Sequence, residues 1–419
     1  MIDIKEQIKQ IAVDAKKSAS VIARTDTKKK NATLLEIAEQ LVAQKQILLA
    51  ENAKDILSAS VAALSTPMLD RLTLNEESIY GIADGIRQIV ALPDPIGEIT
   101  SMWRRPNGLQ VGKMRIPLGV VGIIYEARPN VTADAAALCL KSGNAVILRG
   151  GSEAIHTNIA IGNIINNALQ KNGLPIAAVQ IIPTTDRQAV YELLQLEEFV
   201  DLIIPRGGEA LIRAVVAQSK IPVIKHYKGV CHIFVDDNAN IQKALSICLN
   251  AKTQRAGVCN AMETLLIHTD IAQAFLPLLA EAMSNAGVQL RGCLQTCAIL
   301  KNIPSADESD WHEEYLSLIL SVRIVNNIDE AIAHIEKYGS LHTEAIITDS
   351  YENSQKFINE VNSSTVVVNA STRFSDGFEL GLGAEIGIST TKLHAYGPMG
   401  LEGLTTTKFI IYGNGQVRQ

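Results

Sequence analysis

The chain has 419 residues and a formal net charge of -6. A single core stops growing near ~250–300 residues, so two or three domains are expected. Lys and Arg gather only in short clusters such as Lys28-Lys29-Lys30, which argues against a nucleic-acid partner, and no run of ~18 apolar residues exists to cross a bilayer. Apolar residues make up 47% and aromatics only 4%, so aliphatic side chains and alanine must fill the cores, in helices and buried strands rather than an aromatic-rich sandwich. Asp3 and Glu6 interrupt the start of the chain where a secretory signal would be apolar, and the six cysteines are sparse for this length. Reduced thiols and a cytoplasmic location are the expectation.

In chain order, Ile4, Ile8, Ile11, Ala15, Ala19 and Ile22 recur at steps of three and four and predict a helix with one apolar stripe. A second helix begins at about Thr27 and a third runs from about Asn75 to Val90, before a proline-containing loop at 92–97. From Leu109 to Tyr125 the pattern is that of two strands broken at Pro117-Leu118-Gly119. Short apolar strands then alternate with helices. Ala145–Leu148 enters Arg149-Gly150-Gly151-Ser152, Val179–Ile182 follows, and Val200–Ile204 enters Pro205-Arg206-Gly207-Gly208. A second series starts near Asp236, with helices at 241–251, 270–285 and 328–338 and strands at 263–267, 318–325, 344–347 and 365–368. Thr405–Tyr412 is one more strand. This rhythm predicts parallel sheets with helices on both faces.

Two glycine-rich turns stand between strand and helix, each beside an arginine: Arg149-Gly150-Gly151-Ser152 and Arg206-Gly207-Gly208. Backbone N–H groups and a helix N-terminus there suit a phosphate, and a guanidinium adds a bidentate donor. Equally, glycine simply permits a tight turn. No P-loop and no G-x-G-x-x-G after a strand are present. Of the cysteines, Cys139, Cys231 and Cys248 lie in apolar runs and suit packing, and Cys293 and Cys297 suit packing or surface thiols. Cys259 lies between a helix and a strand, in Lys252-Thr253-Gln254-Arg255-Ala256-Gly257-Val258-Cys259-Asn260. Basic neighbours favour the thiolate that attacks electrophiles, and Asn260 or backbone N–H groups are candidate oxyanion donors. Spacing alone leaves a packing thiol open as well. His334 and His342 flank a helix end, where capping or packing suits them, and the histidines show no paired ligand spacing, so no metal site is expected.

Taken together, several segments resemble the γ-glutamyl phosphate reductases of the aldehyde dehydrogenase superfamily. They are Lys252–Arg255 with Cys259-Asn260 and Glu263–Leu266, the stretch from Val325 through His334 to Tyr338-Gly339-Ser340-Leu341-His342, Val368–Phe374, and Lys392–Gly400. The resemblance covers nearly the whole chain. It implies an aldehyde dehydrogenase-like α/β fold, with two Rossmann-like parallel-sheet domains and a small β oligomerisation arm. On that basis residues 1–107 and 123–235 form a cofactor-binding domain, 236–384 a catalytic domain, and 108–122 with 385–419 the arm, so a homo-oligomer is expected. The implied reaction is NADPH-dependent reduction of L-glutamyl 5-phosphate to glutamate 5-semialdehyde in proline biosynthesis, with release of phosphate. Cys259 carries over as nucleophile, Arg149 with Gly150 and Ser152 as the adenosine-ribose turn, Gly207 and Gly208 as the second cofactor turn, and Glu314 as the nicotinamide-ribose carboxylate. Leu316 departs from the phenylalanine usual two residues after that carboxylate. Asn130 is a second oxyanion candidate beside the Cys259 N–H, and Arg255 and Arg373 are candidates for the substrate α-carboxylate.

One departure bears on chemistry. Hydrolytic aldehyde dehydrogenases carry a Glu-Leu-Gly-Gly segment upstream of the cysteine, whose Glu activates water, and this chain has His226-Tyr227-Lys228-Gly229 there. A thioester without that base suits exchange with phosphate. The rivals are a free-acid-forming aldehyde dehydrogenase, a cysteine acyltransferase or hydrolase without nucleotide, and a scaffold for a glutamate 5-kinase partner.

Overall fold

The computed structural model describes residues 3–61 and 66–418. These divide into two compact units, residues 1–225 with 381–387 and 399–419, and residues 226–380 with 388–398. No helix among the described residues is long and apolar enough to cross a membrane.

The first unit opens with helices Ile4–Ile22, Thr27–Ala43, Lys45–Val61 and Glu76–Ala91. Asp3, Asp26 and Asn75 each accept a backbone N–H at a helix start, satisfying donors that have no partner within the helix. The predicted stripe of the first helix is present: Ile8, Ala12, Ala15 and Ala19 are buried in one cluster with Val120, Ile124, Ala145 and Ile147. Helix Lys45–Val61 escaped prediction because its buried stripe is Leu48, Asn52, Asp55 and Ala59, half of it polar, so hydropathy shows no period. The polar pair has a purpose. The Asp55 carboxylate accepts the N–H groups of His156 (3.1 Å) and Thr157 (2.8 Å) and the Thr157 hydroxyl (2.6 Å), capping helix Ile155–Lys171 from a distant element.

Two strands, Ile99–Arg104 (β1) and Gln110–Pro117 (β2), pair antiparallel. The chain then turns at Gly119, whose φ of 129° suits only glycine and whose added Cβ would stand 2.1 Å from an Asp201 carboxylate oxygen. That carboxylate accepts the Val120 N–H at 2.7 Å. Beyond the turn, Val120–Tyr125 (β3), Ala145–Gly150 (β4), Val179–Ile181 (β5) and Leu202–Arg206 (β6) form a parallel sheet in the order β5-β4-β3-β6. Residues 108–122 therefore serve two sheets, with Gln110–Pro117 in the antiparallel one and Val120–Gly122 at the centre of the parallel one. All six residues of β3 and of β4 are buried, as expected where helices cover both faces.

The second unit begins before residue 236, with Cys231–Val235 (β7). Met262–His268 (β8), Gln289–Gly292 (β9), Ile319–Val325 (β10), Thr343–Ile347 (β11) and Thr365–Val368 (β12) complete a parallel sheet in the order β12-β11-β7-β8-β10-β9. Alternation along the strands feeds two cores. Ile233, Val235, Leu265 and Ile267 face one cluster with Phe275 and Leu279 of helix Thr269–Asn285. Phe234, Leu266 and Ile346 face another, with Ala331 and Ile335 of helix Ile328–Tyr338 and Phe357 of helix Tyr351–Glu360. A two-residue ladder joins Ile388–Ser389 (β13) to Gly397–Pro398 (β14). Thr405–Tyr412 (β15) then returns to the first unit and pairs with β2, giving a three-stranded sheet β1-β2-β15. Trp103 and Phe409 meet edge to face on that sheet at 6.4 Å, and Met102, Ile411 and Tyr412 are exposed.

Replacing Asp55 with Ala strands the buried N–H and hydroxyl of Thr157 and removes the partner of the His156 N–H. The expected cost is about 2–4 kcal/mol, read as a lower urea midpoint with unchanged slope, with Asp55→Asn recovering part of it. A change within about 0.5 kcal/mol would show that the distant cap contributes nothing.

Candidate active site

Cys259 lies in a turn between helix Ile241–Thr253 and β8, half-buried and unpaired in any disulfide. The two ends of that connection are tied beneath it. Lys252 Nζ stands 2.6 Å from Glu263 Oε2, both side chains fully buried. Burial pushes the Glu263 carboxyl up to about 7, with Lys252 holding it back, and burial pulls the Lys252 ammonium down. The other oxygen of Glu263 accepts the Leu316 N–H at 3.2 Å, so the same pair steadies the loop carrying Glu314.

A second segment lies against the cysteine turn. An added Cβ on Gly229 would stand 2.1 Å from the Cys259 carbonyl oxygen, so only glycine permits this approach. The Cys231 thiol donates to that same carbonyl at 3.2 Å, and burial holds this thiol well above its usual range. Glu314 Oε1 accepts the Gly229 N–H at 2.9 Å, and the Ser340 hydroxyl oxygen accepts the Val230 N–H at 2.9 Å. His226, from the start of this segment, and His342, just before β11, complete the site. One nitrogen of each and the Cys259 sulfur all lie within 4.8 Å of one another. The two rings meet edge to face with centroids 5.7 Å apart. His342 is buried, and its Nδ1 lies 2.9 Å from the Thr343 hydroxyl and 3.6 Å from the Cys231 sulfur.

Of the remaining candidates of this unit, Arg255 is near Cys259 in the chain and Arg373 is tied to the cysteine turn by its side chain. Arg373 Nε donates to Gln254 Oε1 at 2.8 Å and its Nη1 donates to Asn260 Oδ1. Burial pulls the Arg373 guanidinium below its usual value, Asp376 raises it and Arg255 lowers it further. Arg255 is exposed. Asn260 is buried and gives its Nδ2 to the Ser375 carbonyl at 2.9 Å, so its amide clamps the Arg373 segment rather than standing open as an oxyanion donor. Among the described residues the Cys259 N–H meets no protein acceptor.

In the first unit the expected cofactor residues gather at the carboxyl ends of parallel strands. Arg149 and Gly150 end β4, and Gly207 and Gly208 follow β6, on either side of β3. Strand order reverses at β3, which is where open α/β sheets bind ligands. Arg149 is 8% exposed, donates to the Gly150 carbonyl at 2.8 Å and the Thr185 carbonyl at 3.1 Å, and leaves its Nε buried without a partner. Ser152 opens the exposed edge of a short 3-10 turn, Ser152–Ala154. Two carboxylates occupy turn N–H groups: Glu126 accepts from Gly208 at 2.9 Å and Glu153 from Ala127 at 2.6 Å. Asn130, in the first turn of helix Pro129–Lys141, gives its Nδ2 to Asp134 at 3.1 Å.

Sequence reasoning brought Cys259, Glu314, Arg255 and Arg373 into one unit. It missed the convergence of His226, His342 and Cys231 on the cysteine turn, and read His342 and Cys231 as packing residues. The only available signal was His226, at the position where the superfamily keeps its Glu.

Comparisons with known proteins bear on the family and the fold. Residues 3–290 match the family model described as the aldehyde dehydrogenase family. A γ-glutamyl phosphate reductase from Geotalea daltonii is 61% identical over 416 residues, covering 99% of this chain and all of that one. The crystal structure of a γ-glutamyl phosphate reductase from Thermotoga maritima superposes with a TM-score of 0.96 at 43% identity, over 98% of this chain and all of that one. An acetylating aldehyde dehydrogenase from Geobacillus thermoglucosidasius, 17% identical over the full length of both chains, shares the fold at a TM-score of 0.71. The chain thus belongs to the aldehyde dehydrogenase family and, within it, to the γ-glutamyl phosphate reductases, an oxidoreductase group.

Proposed function

We propose that this chain reduces L-glutamyl 5-phosphate to L-glutamate 5-semialdehyde with NADPH, releasing phosphate, through a thioester on Cys259, as a step toward proline. The observation that carries this reading is the cysteine turn itself, with a half-buried thiol, two imidazoles within 4.8 Å of it and of each other, and His226 where a hydrolytic relative has its Glu. The full-length relatives named γ-glutamyl phosphate reductase supply the substrate class.

His226 takes the proton of the Cys259 thiol, and the sulfur attacks the acyl carbon, forming the C–S bond. The tetrahedral oxyanion is held by the Cys259 N–H, and collapse breaks the bond to phosphate, which leaves with its electron pair. A nicotinamide cofactor, when bound, would supply the hydride that reduces the thioester carbon. The resulting thiohemiacetal expels the Cys259 sulfur, which regains a proton from His226 as the aldehyde forms. Arg373 keeps Nη2 for the substrate α-carboxylate, and Arg255 adds a second cation. Glu314 holds Gly229 and with it the spacing of the turn, and its carboxylate suits a ribose hydroxyl.

For the cofactor, the residues present fit a phosphorylated dinucleotide. The orphaned Arg149 Nε and the neighbouring exposed Arg187, whose charge acts on Arg149, offer guanidinium donors for a 2′-phosphate. The β4 and β6 turns present glycines where the backbone must come close. The exposed β1-β2-β15 sheet, apolar at Met102, Phe409 and Ile411, is the surface for pairing with another copy.

His226 also favours a second reading, because an imidazole near a thioester can activate water and release free glutamate. Phosphate dependence separates the two. With glutamate semialdehyde and NADP⁺ in phosphate-free buffer, a single burst of NADPH that stalls until phosphate or arsenate is added is expected. Steady turnover without either anion, yielding glutamate, would establish the hydrolytic enzyme instead.

The cysteine assignment is tested separately. Cys259→Ala should lower turnover by about 10⁴-fold or more with circular dichroism unchanged, while Cys293→Ala and Cys297→Ala retain most activity. Wild-type turnover in Cys259→Ala would end the thioester mechanism. Arg149→Ala should weaken NADPH about 10- to 100-fold and NADH far less, as read by fluorescence titration. Equal losses for both cofactors would assign Arg149 to holding the Gly150 and Thr185 carbonyls.

A further inference from the structure

We propose that Cys259, His226 and His342 form a binding site for a thiophilic divalent metal, zinc above all, and that an ion bound there silences the enzyme. The inhibitory consequence rests on Cys259 being the nucleophile, whereas the site itself rests on geometry alone. Three elements far apart in sequence deliver one sulfur and two imidazole nitrogens, each within 4.8 Å of the other two. A tetrahedral zinc with Zn–S about 2.3 Å and Zn–N about 2.0–2.1 Å needs its ligand atoms roughly 3.3–3.6 Å apart. Closing the gap asks for side-chain shifts on the order of an ångström, within the reach of the two half-buried members, His226 and Cys259.

The donor set selects the metal. One thiolate with two neutral imidazoles suits zinc and its neighbours and does not suit magnesium or calcium, which want oxygen. The surroundings supply an outer shell. The Thr343 hydroxyl oxygen, 2.9 Å from His342 Nδ1, can accept a hydrogen bond from an Nδ1–H and so leave the lone pair on Nε2. Cys231 lies beneath with its thiol donating to the Cys259 carbonyl at 3.2 Å, so it is committed there and does not compete as a fourth ligand. The open side of the turn leaves the fourth position to water. Against the ion stand the guanidiniums of Arg373, which donates to Asn260 beside Cys259, and of the exposed Arg255. Their repulsion of a dication points to a reversible site rather than a permanent one. Binding exchanges a proton for the metal: the Cys259 S–H bond breaks, an S–Zn bond forms, and the proton is released. A sulfur that shares an electron pair with zinc is a much weaker nucleophile toward an acyl carbon.

A second cluster, Asp237, His268 and Asp270, also lies within 4.8 Å, but its carboxylates are exposed, and it serves as the internal control. The experiment titrates the full-length, reduced enzyme with Zn²⁺, and with Co²⁺ as a spectroscopic probe. Expected are one ion per chain, a thiolate-to-Co²⁺ charge-transfer band in the near ultraviolet, and slower alkylation of Cys259 by iodoacetamide when zinc is present. His226→Ala should weaken binding at least about tenfold, Cys259→Ser should abolish the charge-transfer band, and Asp270→Ala should change neither. The idea is overturned if Co²⁺ binds without a thiolate band, if zinc leaves alkylation unchanged, or if Asp270→Ala removes the bound ion. Turnover is read independently. A wild-type enzyme that binds zinc with the thiolate band yet keeps full activity retains the site and loses Cys259 as nucleophile.

Discussion

The active geometry depends on one close approach, the backbone of Gly229 lying against the carbonyl of Cys259. Any side chain at residue 229 would collide with that carbonyl at 2.1 Å, so the absence of a Cβ lets two distant segments share one layer. Around that contact the other bonds fall into place. Cys231 donates to the same carbonyl, Glu314 fixes the Gly229 N–H, and Ser340 fixes the Val230 N–H. His226 and His342 are carried to the sulfur by these same segments. The buried Lys252–Glu263 pair works one layer down. A buried ion pair is weak evidence of stability, because desolvation offsets much of its attraction, but here it joins the end of a helix to the start of a strand and so fixes the length of the turn between them.

The two units use opposite ends of their parallel strands. In the first, the expected cofactor residues follow β4 and β6, where helix N-termini favour anions. In the second, Cys259, His342 and Glu314 precede β8, β11 and β10. There the cysteine follows a helix, Ile241–Thr253, whose carboxyl end carries partial negative charge. A thiolate at this turn would gain nothing from that helix end, and the proposed cations beside it are the side chains of Arg255 and Arg373.

Much of this was legible in the sequence, and the exceptions have physical causes. Helix Ile328–Tyr338 was read with its observed limits because its period is clean, and strand Thr405–Tyr412 because β-branched and aromatic residues fill it. Strand β1 was not read, since all six of its residues are exposed and no inward alternation exists to detect. Helix Lys45–Val61 hid behind the buried Asn52 and Asp55. Cys259 could be singled out by its flanking residues, whereas the histidines beside it could not, because no local spacing links residues 226, 259 and 342. The Glu126 carboxylate on the Gly208 N–H is likewise invisible to a motif search, which registers the glycine and not what sits on it.

The pairing of β15 with β2 has a bearing on how the chain reaches its native state. Thr405 sits opposite Pro117 and Tyr412 opposite Gln110, with the whole second unit lying between them in the chain. Closing so long a loop costs entropy that grows only slowly with length, but non-local pairings of this kind slow folding. On the ribosome, β1 and β2 emerge early as a hairpin with an open edge, and wait through synthesis of the second unit for the strand that covers it. Such an edge is a template for pairing with other chains. Nascent copies are therefore most prone to misassembly in this interval, and the time at risk is set by the rate of translation rather than by the stability of the finished fold.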